Sequence, residues 1–130
     1  MDTLERLLAE RAIEAMIVDY AAFNDVGDWH AVAAMYLPEG RMSRPTAPDA
    51  FIEGRAAILA AFQARPARAS RHVVANMRVT IEGSSATATS QILLFTAADK
   101  PPLIGTYADR LTQSAEGWRF AERRGSLDFT

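Results

Sequence analysis

The chain has 130 residues, 49% of them hydrophobic, a net charge of −2 and no cysteine, which suits one domain with a sizeable core and leaves too little for two. That balance argues against a nucleic-acid surface, no apolar run reaches bilayer length, and the missing cysteines exclude disulfides and thiolate chemistry. The sole lysine, Lys100, stands beside Pro101 and Pro102, His30 and His72 lack zinc-type spacing, and no glycine-rich phosphate loop appears, so the expected chemistry uses no metal and no cofactor. The N-terminus lacks the basic start and apolar run of a signal peptide, and a cytoplasmic protein is the expectation.

In chain order, Asp2-Thr3-Leu4-Glu5 has the form of a capping box. Leu4, Leu7, Leu8, Ile13, Met16, Ile17, Tyr20 and Ala21 recur at three- and four-residue intervals, predicting one apolar stripe along a long first helix. Asp25 continues the Ile17–Ala21 row; it is either a solvated helix end or an enclosed carboxylate that needs a partner. Gly27 stops this helix and Asp28 caps a short second one, with Trp29, Val32, Ala33 and Tyr36 at helical spacing and Pro38 and Gly40 closing it. The spacing makes Trp29 a core anchor first and a ligand contact second, while His30 faces water.

From Gly40 to Glu53 the pattern predicts a short strand, a loop holding Pro45 and Pro48 that is placed to cover a pocket mouth, and an extended piece around Phe51. A third helix follows Gly54, with Arg55, Ile58, Leu59 and Phe62 on one face, and ends at Pro66. Arg65, Arg68 and Arg71 then cluster, and basic residues near a helix end complement its dipole, so a solvated face is the default and a specific anion site the alternative.

Four strands follow, Ser70 to Ile81, Ala86 to Thr96, Leu103 to Gln113 and Trp118 to Leu127, joined by turn-rich links that favour antiparallel pairing. In the first, strict alternation places His72, Val74, Asn76, Arg78 and Thr80 on one face, so His72 and Asn76 share a face unless a bulge intervenes. An imidazole and an amide among apolar side chains can line a small-molecule cavity; the alternative is a half-exposed His72 bonded to backbone. The whole predicts an α+β domain spanning 1–130, a curved, mainly antiparallel sheet with the helices packed on one side.

Several local signs carry a family resemblance: Tyr20 to Trp29, Gly54 before Ile58 and Phe62, Arg71-His72 with Asn76, Gly105-Thr-Tyr107-Ala-Asp109, and Gly117-Trp118-Arg119-Phe120. With the element order they resemble the nuclear transport factor 2-like cone, specifically its SnoaL-like branch, over nearly the whole chain. The resemblance implies a cone with three N-terminal helices on its concave side. It also implies an Asp-His pair at Asp25 and His72, as in enzymes similar to scytalone dehydratase and hexachlorocyclohexane dehydrochlorinase, where imidazole removes a proton and carboxylate orients it.

Two departures stand out. The strand after His72 lacks the dehydratase's second histidine, and Tyr20 stands where the dehydrochlorinase resemblance suggests lysine. Steroid-isomerase relatives need a carboxylate where Gly40-Arg-Met-Ser-Arg44-Pro places arginine, and the epoxide-hydrolase Arg/Asp pattern is not evident. The candidate catalytic residues are therefore His72, Asp25 and Tyr20, with Tyr20 polarising a carbonyl or serving as a structural hydroxyl. Candidate substrate contacts are Asn76, Trp29, Tyr107 and Arg124. Arg123 and Arg124 point to opposite faces, so at most one enters the cone; Asp109 ranks with them.

The leading expectation is a lyase or isomerase acting on a small, largely apolar substrate. A noncatalytic ligand-binding or dimerising module of the same fold is the alternative, and a cavity filled by side chains, or His72 bonded to backbone, would favour it. Relatives often pair through the convex sheet face, so the resemblance also implies a homodimer.

Overall fold

The computed structural model describes residues 1–129. Helix α1 (Thr3–Val26) opens on reciprocal capping, the Asp2 carboxylate accepting from the Glu5 amide at 2.7 Å and the Glu5 carboxylate from the Asp2 amide at 3.1 Å. It stops at Gly27, whose φ of 72° is the left-handed geometry glycine adopts without steric cost. The buried row runs Ala9, Ile13, Ile17, Tyr20, Ala21 and Asn24. Leu4, Leu7 and Leu8, expected in that stripe, are exposed instead. They are in phase with one another but not with Ile13; at 3.6 residues per turn Leu4 lies about 180° away from it.

Helix α2 (Trp29–Ala34) begins where the Asp28 side chain accepts from the Ala31 amide at 3.2 Å. The expected continuation to Tyr36 does not occur. Tyr36 starts strand β1 (Tyr36–Arg44), which contains both Pro38 and Gly40, because the backbone turns to pair with the last strand and Phe120 N donates to Met35 O at 2.8 Å. The expected proline loop shrinks to a turn at Pro45-Thr46, and β2 (Ala47–Glu53) forms an edge strand, where Pro48 leaves no ladder donor missing. Helix α3 (Arg55–Gln63) buries Ile58 and Phe62.

Strands β3 (Arg71–Glu82), β4 (Ser85–Phe95), β5 (Leu103–Ser114) and β6 (Gly117–Leu127) match the four expected segments to within a residue or two. The sheet order is β2-β1-β6-β5-β4-β3; every pair is antiparallel except β1 with β6. The helices pack on one side of this curved sheet, and Ile13, Ile17, Val32, Tyr36, Ile58, Leu111 and Phe120 form the fully buried centre. Among the described residues no helix is long and apolar enough to cross a membrane.

Three strands break alternation, β1 between Met42 and Arg44 and, with larger consequence for the site, β3 and β6. Asn76 adopts φ 53°, and the β3–β4 register slips between Ala75 and Arg78. His72 and Val74 face inward before this bulge and Met77, Val79 and Ile81 after it, so Asn76 points outward and donates to Gln91 Oε1. In β6 the register slips beside Ala121, since Leu111 opposes Phe120 but Arg110 opposes Glu122. Inward positions therefore run Trp118, Phe120, then Arg123 and Gly125.

Gly125 seats the β1–β2 turn. A Cβ there would lie 2.7 Å from both Cδ and N of Pro45, atoms of a rigid ring that cannot swing away. Gly125→Ala is expected to destabilise by about 1–3 kcal/mol in denaturant titrations by pushing Pro45 and Thr46 outward. A midpoint equal to the parent's would show that the turn yields freely.

Candidate active site

The end of α1 lies against the start of β3, and the two elements bring Asp25 to His72. Asp25 Oδ1 lies 2.6 Å from His72 Nδ1 and accepts from Ser70 Oγ at 3.1 Å; Oδ2 accepts from the His72 backbone amide at 2.9 Å. Arg71 Nε stands 3.9 Å from Oδ2. With side chains only 11% and 12% exposed, imidazole and carboxylate are nearly enclosed. The enclosed carboxylate thus has its partners. An ionised Asp25 accepts only, so Nδ1 carries the proton toward it and Nε2 remains the basic nitrogen.

His72 lines a cavity of about 300 Å³, together with Tyr20, Asn24, Met42, Phe62, Ile92 and Tyr107, and the Pro45-Thr46 turn closes part of its rim. The turn thus stands at the cavity rim, as expected for that stretch. Tyr20 OH is 2.9 Å from Tyr36 OH and 3.9 Å from Met42 Sδ. Tyr36 is fully buried and has Tyr20 as its hydroxyl partner. If Tyr36 donates to Tyr20, the Tyr20 proton faces only a weak sulfur acceptor and is free for a ligand. Burial raises the Tyr20 phenol far above its ordinary range, with Tyr107 adding to the effect and Arg123 opposing it, so it remains a donor.

Behind Tyr20 lies a buried ion pair. Arg123 Nε is 3.1 Å from Asp109 Oδ1, and the Arg123 guanidinium carbon lies 3.9, 4.3 and 4.9 Å from the ring centres of Tyr107, Tyr20 and Phe120. Burial pushes the Asp109 carboxyl up to about 6, with the charge of Arg123 and its hydrogen bond pulling it back. The two residues oppose each other on β5 and β6.

Three expected substrate contacts need correction. Asn76 is outside the cavity, turned away by the β3 bulge. Arg124 is outside as well: it pairs with Asp49 at 3.2 Å, and the β6 bulge sends Arg123 inward in its place. Trp29 is not among the residues of this cavity: it stacks on Phe62, which lines it, with ring centres 5.2 Å apart and planes at 11°, and itself lines an adjoining recess with Asp25, Arg65 and His72. His72, Tyr20 and Tyr107 do meet at the cavity. Asn24, Ser43 and Arg44 line it unforeseen; Asn24 was legible as the residue one turn beyond Tyr20 on the buried row. Among the described residues no group of three or more His, Asp or Glu side chains converges to hold a metal ion.

A helix-backed curved sheet holding an imidazole–carboxylate pair at its cavity defines a nuclear transport factor 2-like cone. Residues 5–124 match the family model described as SnoaL-like domain, and the chain belongs to that family. Three solved structures illustrate the likeness. An NTF2-like protein with a cystatin-like fold from Novosphingobium aromaticivorans is 26% identical, with 96% of this chain and 86% of that one covered and a TM-score of 0.84. A protein of the same organism, provisionally named a scytalone dehydratase, is 23% identical over 98% and 89%, with a TM-score of 0.84. ActVI-ORFA from Streptomyces coelicolor is 24% identical over 95% and 98%, with a TM-score of 0.74. No curated protein sequence gives a significant match.

Proposed function

We propose that this protein is a lyase or isomerase that needs no cofactor and acts on a small carbonyl compound, with His72 as general base and Asp25 as its positioning residue. The 2.6 Å Asp25–His72 contact at the wall of an open cavity carries this reading. Imidazole Nε2 takes a proton from the carbon beside the carbonyl, and the electron pair moves to the oxygen, where Tyr20 donates a hydrogen bond. In elimination the pair then expels a hydroxyl from the next carbon, which leaves as water with the proton returned by the imidazolium. In isomerisation the same proton returns to a different carbon.

Two structural neighbours carry the provisional name of a dehydratase, which is in keeping with the elimination form. Proton exchange into deuterated water tests the reading without a known substrate: in a panel of β-hydroxy ketones, neutral ones and ones bearing a carboxylate or phosphate, at least one should lose the signal of the acidic C–H in proton NMR when protein is added. Absence of exchange across the panel would remove the base assignment. The noncatalytic alternative gains no support from the geometry, since the cavity is open and the His72 ring bonds a carboxylate.

The proposal extends to a homodimer through the outer sheet face. Val73, Leu93 and Ile104 lie side by side across β3, β4 and β5 on that face, Val73 and Ile104 exposed, and Phe95 is exposed nearby. Light scattering should return twice the 14.2 kDa chain mass, and Ile104→Glu should return it to monomer. A monomeric parent protein would overturn the pairing.

A further inference from the structure

We propose that the substrate is an anion, and that its carboxylate or phosphate oxygens are held in the cavity by Arg44 and Arg65 with Arg68 at the rim. The inference rests on the His72 reading only for what happens to the ligand after it binds.

The charges lining the cavity are one-sided. Arg44, Arg65 and Arg68 all face it, and no aspartate or glutamate is among its lining residues. None of the three has a carboxylate within ion-pair distance among the described residues, whereas Arg41, Arg55, Arg110, Arg123 and Arg124 each have one. Like charges brought together without counter-charge repel, and burial with the charges of Arg68 and Arg44 lowers the Arg65 pKa. A solvated helix-end role accounts for Arg68, which is exposed, but not for the half-buried Arg44 and Arg65.

The two inner arginines are held by means other than acids. Arg44 donates from one terminal nitrogen to Ala61 O at 3.1 Å, in the last turn of α3. Its guanidinium lies 5.9 Å from the Phe62 ring centre, and Arg65 lies 5.5 Å from the same ring and 5.7 Å from that of Trp29. The stacked Trp29–Phe62 pair is thus a platform for both cations.

Calorimetric titration with benzoate, phenyl phosphate and neutral benzamide tests the inference. At least one anion should bind about tenfold or more tightly than benzamide at low salt, with the gap narrowing as salt rises. The better of the two anions identifies carboxylate or phosphate. Arg65→Gln should remove most of the gap; its side chain makes no hydrogen bond to the backbone, unlike that of Arg44, and a thermal melt checks integrity. Equal binding of anions and amide, no binding of any, or a gap unchanged in Arg65→Gln overturns the proposal. The readout is binding alone, so anion selectivity without His72-dependent proton exchange would remove only the base reading, and exchange without selectivity only this one.

Discussion

His72→Ala is expected to lose roughly 10²–10⁴-fold in proton-exchange or elimination rate while keeping its fold, because a positioned general base contributes about that much. Asp25→Asn should also lose activity, on the order of 10²-fold, for a reason set by donor arithmetic. Asp25 accepts at one oxygen from the ring and Ser70 and at the other from the His72 amide. An asparagine has only one oxygen. With its NH₂ toward the ring it forces the Nε2–H tautomer, which cannot take a proton; with NH₂ toward the backbone, two donors face each other. Nitrogen-15 NMR of the imidazole separates positioning from structure. The parent should show protonated Nδ1, the variant a shift toward protonated Nε2. A variant with the parent's rate and tautomer would contradict the assigned role of Asp25.

The second large effect concerns stability. Asp109→Ala should destabilise by about 3–5 kcal/mol, since it leaves the Arg123 cation buried among three aromatic rings without a counter-charge. The double variant Asp109→Leu with Arg123→Met should regain most of that loss, because replacing a buried pair by apolar groups is often nearly neutral. Equal melting of parent and Asp109→Ala would show that the pair contributes nothing. The sign of the pH dependence follows from the raised carboxyl. Between about pH 4 and 6 the folded protein holds a proton on Asp109 that the unfolded chain has released, so this group's contribution to stability falls as pH rises through that window. Asp109→Asn should lack that decline.

Much of the molecule was legible where the signal was local. The capping box, the Gly27 stop, the four long strands and the Asp25 row extension all depend on spacings within a few residues. The errors arose where one residue changed a phase. Strict alternation from Trp118 and Phe120 puts Arg124 inside, and from His72 it puts Asn76 inside; one extra residue in each strand reversed both. The series Val74, Met77, Val79, Ile81 carried the signal, a step of three followed by steps of two, but Val73 and Ala75 are also apolar and hid it. Asparagine, which tolerates the left-handed region better than most side chains, was the other clue. The Asp109–Arg123 pair sits across one hairpin but was displaced by the same β6 bulge, and the convergence of Arg44 with Arg65 joins separate segments with no local trace.

The irregularity at Asn76 makes β3 sensitive to counting. Its first half presents the imidazole to the ligand and its second half seals the core with Ile81, and the two halves obey opposite parities. Removing one residue between Val74 and Met77 would take out the bulge and leave the imidazole and Ile81 on the same side of a regular strand, whereas removing two would set the chemistry and the packing on opposite faces. Loss of the one extra residue should therefore be tolerated where loss of two is not, a constraint that belongs to the chain's arithmetic and to no single side chain.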